Sequence, residues 1–205
     1  MVDYAGPESP GDMMGSRCLI LLWLMLMQGQ NAAAEDFGLD TLLPILARNS
    51  GGRARFSERK FISLLDKPVE SSGELVYAKP DHLEKITLKP QAERLTLHNG
   101  ILSIESKGQK KSMEMKEYPE LAIFIESLRG TLAGDRAALE RIYRLYLGGS
   151  VTHWTLLLLP SSPEMSAIIS QIKITGESAQ LRGIEIQQAD GDRSVTSIEP
   201  IRAVP

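Results

Sequence analysis

Residues 94–106 read Arg-Leu-Thr-Leu-His-Asn-Gly-Ile-Leu-Ser-Ile-Glu-Ser. Leu95 and Leu97 alternate with polar neighbours before Asn99-Gly100, and Leu102 and Ile104 alternate after it. Asn-Gly suits a two-residue turn in which both residues take positive φ, so apolar alternation on either side predicts a β-hairpin. The same period of two extends outward from this hairpin. Upstream, Arg53–Leu65 carries Ala54, Phe56 and the Phe61-Ile62 pair among charged neighbours, and Asp66-Lys67-Pro68 is a turn signal. Gly73–Ala78 alternates through Leu75 and Tyr77, Lys79-Pro80-Asp81 interrupts it, and His82–Leu88 resumes. Downstream, Lys107–Lys111 turns into Ser112–Lys116, where Met113 and Met115 alternate.

Two segments change period. Leu39, Leu42, Leu43 and Leu46 lie at i, i+3, i+4 and i+7, which predicts a helix over Phe37–Arg48 with Pro44 as an awkward interior residue and Gly51-Gly52 as its end. Tyr118–Leu132 carries Leu121, Phe124, Ile125, Leu128 and Leu132 on one stripe. A second helix is expected over Arg136–Leu147, capped by Asp135, with Leu139, Ile142, Tyr143 and Tyr146 on one face. Strands then return. Val151–Leu159, Ile172 with Ile174, Leu181 with Ile184 and Ile186, and Val195 with Ile198 form a meander, and Asp190-Gly191-Asp192 is one of its turns. Met165–Ser170 reads as a helical turn or a strand lead-in. The result is an α+β single domain whose antiparallel sheet forms a barrel or half-barrel, with helices covering one face.

The N-terminal zone has its own logic. Arg17 precedes the apolar run Cys18–Met27, polar Gln28–Asn31 follows, and Ala32-Ala33-Ala34 stands before Glu35. A basic residue, a short apolar stretch and small residues at a cleavage point are the parts of a secretory signal. Residues 1–34 are therefore expected to be a cleaved signal peptide, with translation starting at Met13 or Met14, and residues 35–205 to be the mature domain. Export to the periplasm follows. Cys18 lies at the start of the apolar run rather than after it, which argues against lipidation. It is also the chain's one cysteine, so the mature form has neither a disulfide nor a thiolate metal site. Removing Asp3, Glu8, Asp12 and Arg17 from the 26 acidic and 23 basic residues leaves a nearly neutral protein. That balance lacks the basic footprint of a nucleic-acid partner.

Signals for catalysis are thin. His82, His98 and His153 are separate in sequence and show no metal-ligand spacing. Ser57-Glu-Arg-Lys60 matches S-x-x-K, the nucleophile motif of serine β-lactamases, but in a period-two segment Ser57 and Lys60 face opposite sides. Asp190 and Asp192 with Glu185 supply too few oxygens for a calcium loop. The lysine-rich run Lys107–Lys116 reads as a solvated hairpin tip, or alternatively as a contact for anionic lipid heads or an acidic partner. What remains is abundant Leu, Ile and Met on alternate strand positions and on the helix stripes. Pattern alone leaves open whether that material packs solid or lines a cavity for an apolar ligand.

A resemblance bears on the choice. Arg53-Ala-Arg-Phe-Ser-Glu58 resembles the first strand of the LolA family, periplasmic carriers that ferry lipoproteins between the membranes of Gram-negative bacteria. Gly73-Glu-Leu-Val-Tyr-Ala-Lys-Pro80, followed by Leu83-Glu-Lys, is similar to the family's G-x-L-x-x-x-(R/K)-P segment. His98-Asn-Gly-Ile-Leu102 resembles its (D/N)-G-x-x-L hairpin, and Gln188-Ala-Asp-Gly-Asp-Arg-Ser194 a late turn and strand. The order of these degenerate motifs over most of the mature chain resembles a divergent LolA-related branch.

The resemblance implies an unclosed antiparallel half-barrel with a helical lid formed by Leu39–Leu46 and Tyr118–Leu132. It also implies an apolar cavity, for which the candidate wall is Leu42, Leu46, Phe56, Leu75, Tyr77, Leu83, Leu97, Leu102, Ile104, Met113, Met115, Leu121, Phe124 and Leu128. The family's arginine before the proline latches the lid. Here that position is Lys79, a flexible point charge without the guanidinium fork. The implied ligand is an acylated lipoprotein or lipid. The implied partners are an inner-membrane exporter and an outer-membrane receptor, with no cofactor, no metal and no catalysis, and the protein acting as a monomer. Acyl burial is worth about 0.8 kcal/mol per CH₂, so a soluble carrier has to offer an apolar cavity and a means of opening it. The same half-barrel also serves, in this resemblance, as a sensor or accessory protein for other acylated ligands. A periplasmic hydrolase acting through Ser57 is the remaining class.

Overall fold

The computed structural model describes residues 37–117 and 119–201 of the chain, so the expected signal peptide lies outside the described residues. Helix α1 (Leu39–Ala47) is followed by six strands: β1 (Gly51–Phe61), β2 (Val69–Ala78), β3 (His82–Lys89), β4 (Glu93–His98), β5 (Ile101–Ser106) and β6 (Gln109–Glu114). A single 3-10 turn, Met115–Glu117, leads into α2 (Pro119–Ala133) and α3 (Arg136–Ile142). Strands β7 (Tyr143–Gly149) and β8 (Trp154–Pro160), the short α4 (Pro163–Ser166), and strands β9 (Ile169–Glu177), β10 (Gln180–Gln188) and β11 (Arg193–Pro200) follow.

The 11 strands of the described residues join one sheet in the order β6-β5-β4-β3-β2-β1-β11-β10-β9-β8-β7. Every neighbouring pair is antiparallel. The order ends at β6 on one side and β7 on the other, so the sheet is unclosed. The β4–β5 hairpin turns through Asn99 at φ 50° and Gly100 at φ 71°, both in the left-handed region that Asn-Gly favours. Lys107 at φ 53° and Gly108 at φ 75° make the next turn, which is tighter than Lys107–Lys111 suggested.

Two sequence expectations need correction. Gly51-Gly52 does not end the first helix; α1 stops at Ala47 and the glycines open β1. The second expected helix, Arg136–Leu147, stops at Ile142, and residues 143–149 form β7. Tyr143, Leu145 and Leu147 fit a period of two as well as Leu139, Ile142, Tyr143 and Tyr146 fit a helix. Pairing decides: β7 runs in register with β8 from Tyr143 opposite Pro160 to Gly149 opposite Trp154. Tyr143 is buried while Tyr146, on the other face, is 52% exposed.

The apolar interior is divided. Under α1 and α3, Leu42, Leu43, Leu46, Leu139, Tyr143, Trp154, Leu156, Leu158 and the β9 isoleucines form one closed cluster over β7–β11. A smaller cluster of Leu97, Leu102 and Ile125 joins α2 to β4 and β5. α1 can approach α2 closely because α2 is followed by Gly134, at φ 66°, where a Cβ would lie 2.2 Å from the Leu43 carbonyl oxygen. Gly134→Ala therefore combines an unfavourable φ with a backbone clash. It is expected to lower stability by about 2–4 kcal/mol in chemical denaturation.

Tyr143 ties α2 to the sheet by donating its hydroxyl to the Ile123 carbonyl at 3.1 Å. Burial raises its pKa from 10.0 to about 12, against a smaller lowering by a hydrogen bond with Ser127. Because the unfolded chain loses this proton first, the stabilisation is fully present below pH 10 and is lost as pH rises towards 12. A denaturation series across that interval should show the midpoint falling, and Tyr143→Phe should flatten the fall.

Candidate functional site

Period-two geometry puts one set of side chains from every strand on the concave face. On β1 this set is Ala54, Phe56, Glu58 and Lys60, and the register extends it sideways. Phe56 lies opposite Ile198 of β11 on one side and Gly73 of β2 on the other. Leu75 follows opposite Ala54, Tyr77 opposite Gly52, and Leu83 of β3 lies between Tyr77 and Leu97 of β4. The two interior clusters leave a gap between them on this face, and members of both line it: Ile184 and Ile198 of the larger, Leu97, Leu102 and Ile125 of the smaller. A cavity of about 610 Å³ lies there, floored by β1–β5 and the β10–β11 pair, with Ile125, Leu128 and Leu132 of α2 in its wall.

Gly73 lets β3 approach β2 closely at an irregularity in the floor. A Cβ at this position would stand 1.9 Å from the Ile86 carbonyl oxygen, and the ladder slips by one residue between Ser72 and Gly73. Where β1 leaves the apolar stretch, charge enters the wall already paired. Lys85 Nζ donates to Glu58 Oε2 at 2.6 Å, Ser71 Oγ donates to the same oxygen at 3.1 Å, and the ammonium lies 5.0 Å from the centre of the Phe56 ring. Near the opposite end, Lys79 Nζ donates to the Ala47 carbonyl at the C-terminus of α1. A cation is well placed there, since the helix dipole leaves that end negative. At its other end, α1 is tied to α3 by Arg136 Nη1 and Asp40 Oδ1 at 2.7 Å.

Of the wall residues expected from sequence, Phe56, Leu75, Tyr77, Leu83, Leu97, Leu102 and Leu128 meet around this cavity. Leu42 and Leu46 do not; they are sealed in the closed cluster at 0% and 1% exposure. Their helical stripe faces β7–β11 rather than the open middle of the sheet. Ile104, Met113 and Met115 pack against the Leu97–Leu102–Ile125 cluster instead of lining the cavity, which reaches β5 only at Leu102 and does not reach β6. The side chains of Leu121 and Phe124 lie outside the described residues. Ala54, Leu95, Ile125, Leu132, Leu181, Ile184, Ile186 and Ile198 are lining residues that the sequence reading missed. The alternation in β10 and β11 was visible in sequence. Its position beside β1 was not, because that pairing joins segments about 140 residues apart, as in Phe56 opposite Ile198.

Other sequence features resolve simply. Ser57 is exposed, while Lys60 lies at the cavity wall on the opposite face of β1, so the S-x-x-K residues do not meet. Asp192 accepts from the Ser63 backbone N–H at 2.9 Å and closes a loop. His82 and His98, separate in sequence, are brought together by the β3–β4 register with ring centroids 5.6 Å apart. Among the described residues no group of three or more His, Cys, Asp or Glu side chains could hold a metal ion.

Residues 31–200 match the family described as outer membrane lipoprotein carrier protein LolA-like. The chain belongs to this LolA-like family. Its members are carriers or binding proteins rather than enzymes. Solved structures with a similar fold include a LolA superfamily protein from Nitrosomonas europaea, at 10% identity and a TM-score of 0.43 over 82% of this chain and 93% of the other. The MucA/MucB complex of Pseudomonas aeruginosa matches at 11% identity and a TM-score of 0.44, over 82% of this chain and 57% of the matched one. LprF from Mycobacterium bovis matches at 11% and 0.37, over 82% and 92%. No curated protein sequence matches the chain. Among the described residues no helix of this LolA-like protein is long and apolar enough to cross a membrane.

Proposed function

We propose that this LolA-like protein is a periplasmic carrier that takes the acyl chains of a lipoprotein or lipid into its cavity and delivers them towards the outer membrane. The observation that carries the reading is the uncovered apolar middle of the concave face, a cavity of about 610 Å³ where a packed core would otherwise be. Its lining follows β1 from Gly51 to Lys60, roughly 30 Å at about 3.3 Å per residue, a shape that suits a chain. Each methylene buried there contributes about 0.8 kcal/mol. No covalent step is needed, and an inner-membrane exporter and an outer-membrane receptor are the partners such a carrier would meet. Displacement of a fluorescent fatty-acid probe by palmitoyl lysolipid tests the binding step. The carrier reading predicts saturable displacement, and a protein that takes up neither probe nor lipid would contradict it.

The cavity's size favours a second reading in one respect. About 610 Å³ is the volume of a site for one drug-sized ligand, within the usual range of about 300–1,000 Å³. That suits a single chain better than a triacylated anchor, and so supports an accessory or sensor protein serving a specialised acylated ligand. Complementation of a strain depleted of its ordinary lipoprotein carrier separates the two. Rescue supports lipoprotein transport, whereas failure by a protein that still binds acyl chains supports the specialised ligand.

In either reading the Lys79–Ala47 contact acts as the latch by holding the chain after α1, where Asn49 and Gly51 line one end of the cavity, to the β2–β3 turn. Lys79→Ala is expected to speed ligand release about two- to fivefold in stopped-flow displacement, the scale of one cation at a helix C-terminus. Lys79→Arg is expected to restore slow release. Unchanged rates in both variants would remove Lys79 from the mechanism.

A further inference from the structure

The β1–β2 connection shows two leucines to solvent. Leu64 is 92% exposed and Leu65 52%. The connection is a formed turn: the Leu65 N–H donates to the Ile62 carbonyl at 2.8 Å. It is also tied to the β10–β11 turn, where Asp192 accepts from the Ser63 N–H at 2.9 Å and from Ser63 Oγ at 3.2 Å. Antiparallel pairing brings the β1–β2, β3–β4 and β5–β6 turns to this same end of the sheet. Val69 and Leu88, at the strand ends beside these turns, are exposed as well. Four of the eight large apolar side chains exposed among the described residues therefore lie at one end. Single exposed leucines are ordinary, whereas a group of them marks a contact surface.

We propose that this end of the sheet docks on an anionic bilayer surface, with Leu64 and Leu65 inserted between the lipids. The charge around the leucines selects that partner. Lys60, Lys67, Lys89, Lys107, Lys110 and Lys111 lie in or beside the three turns, and none is in an ion pair among the described residues. Asp66, Glu93 and Glu105 are the unpaired acids of the same segments, so the β1–β6 half of this end is net positive. Asp190 and Asp192 belong to the β10–β11 turn, which leaves the basic half to face the lipid heads. Exposed leucines among lysines bind a bilayer by burying apolar area while the ammonium groups meet anionic heads. The cavity lining runs along β1 to this end at Lys60, with Gln188 of β10 beside it. Docking therefore sets one end of the cavity at the membrane, where a chain passes in or out. That consequence rests on the acyl-carrier reading; the docking does not.

The test floats the protein with vesicles of phosphatidylcholine, alone or mixed equally with phosphatidylglycerol, and titrates palmitoyl lysolipid in parallel. The wild type should partition onto the mixed vesicles and far less onto phosphatidylcholine. Leu64→Ser combined with Leu65→Ser should weaken partitioning about tenfold through the lost apolar burial. Lys67→Gln combined with Lys89→Gln should weaken it about twentyfold, at about fivefold per charge. Neither pair lines the cavity, so lysolipid affinity should be unchanged in both. In Leu64→Trp, the new indole's emission should shift to the blue on the mixed vesicles. The proposal is overturned if the wild type stays off both vesicles, if the serine pair partitions as the wild type does, or if the Leu64→Trp emission does not move. It is also overturned if sedimentation shows a wild-type dimer that the serine pair abolishes, which would assign the leucines to a second copy. A protein that takes up lysolipid but stays off vesicles loses the docking surface and keeps the carrier reading. One that partitions onto vesicles but takes up no lysolipid does the reverse.

Discussion

Leu75→Trp combined with Leu128→Trp should weaken binding of palmitoyl lysolipid about a hundredfold while leaving the protein folded. Leu75 rises from the floor on β2 and Leu128 comes from α2, and both are half-buried lining residues. Their enlarged rings would occupy volume that the chain otherwise fills. Displacing three or four methylenes at about 0.8 kcal/mol each removes about 3 kcal/mol, which is about two decades of affinity. The added atoms enter a cavity rather than a close-packed core, so overpacking strain is small. Titration calorimetry and thermal melting of the same samples check both halves of the expectation. Full affinity in the double variant would place the ligand elsewhere. A collapse in stability would show that the space is not available to side chains.

Leu42→Ala should give the reverse pattern. Leu42 is 0% exposed in the closed cluster beneath α1. Truncating a buried leucine costs the transfer of its methyl and methylene groups and leaves a void, together about 2–5 kcal/mol. The urea midpoint should fall accordingly. Lipid affinity of the folded fraction should change less than about threefold, because Leu42 is separated from the cavity by the packed cluster. If the variant instead lost affinity in proportion to side-chain size while keeping its stability, Leu42 would be a wall residue after all. Together the two variants distinguish the parts of the interior that hold the fold from the part that holds the ligand.

Sequence pattern distinguished these parts only partly. The β4–β5 hairpin was legible because its determinants are local: two positive-φ residues, Asn99 and Gly100, between alternating leucines and isoleucines. The α2 stripe was legible for the same reason. The fate of residues 143–149 was not, since Tyr143, Leu145 and Leu147 satisfy both periods and the choice is made by β8, a neighbour supplied later in the chain. The cavity wall was divided in the same way. Phe56, Leu75, Tyr77, Leu83, Leu97, Leu102 and Leu128 could be named as wall from strand alternation, the helix stripe and the family resemblance, yet the same grounds assign Leu42 and Ile104 equal standing. What separates them is where tertiary packing seats each element: α1 in the larger cluster, against Gly134 at the end of α2, and Ile104 beside the smaller cluster. The β10–β11 half of the wall depends on a pairing between the two ends of the domain, which no local window contains.

Lys79 shows how a local motif gains a physical role through tertiary contact. Its position before a proline was readable in sequence, but the acceptor is a backbone carbonyl at the end of α1, 32 residues earlier. Tyr77 was read as one apolar wall residue among many. Its unpaired hydroxyl emerges only when the surroundings of Oη are known.

If the cavity carries acyl chains, protein taken from its own compartment should hold them. Native mass spectrometry of the protein purified from the periplasm of an expressing Gram-negative host tests it most directly, followed by extraction and fragmentation of whatever is bound. A fraction of the protein should carry one acylated species per chain, displaced by added palmitoyl lysolipid and depleted in the Leu75→Trp, Leu128→Trp double variant. Protein that is repeatedly free of acylated species, and whose mass does not shift when palmitoyl lysolipid is added, would contradict it.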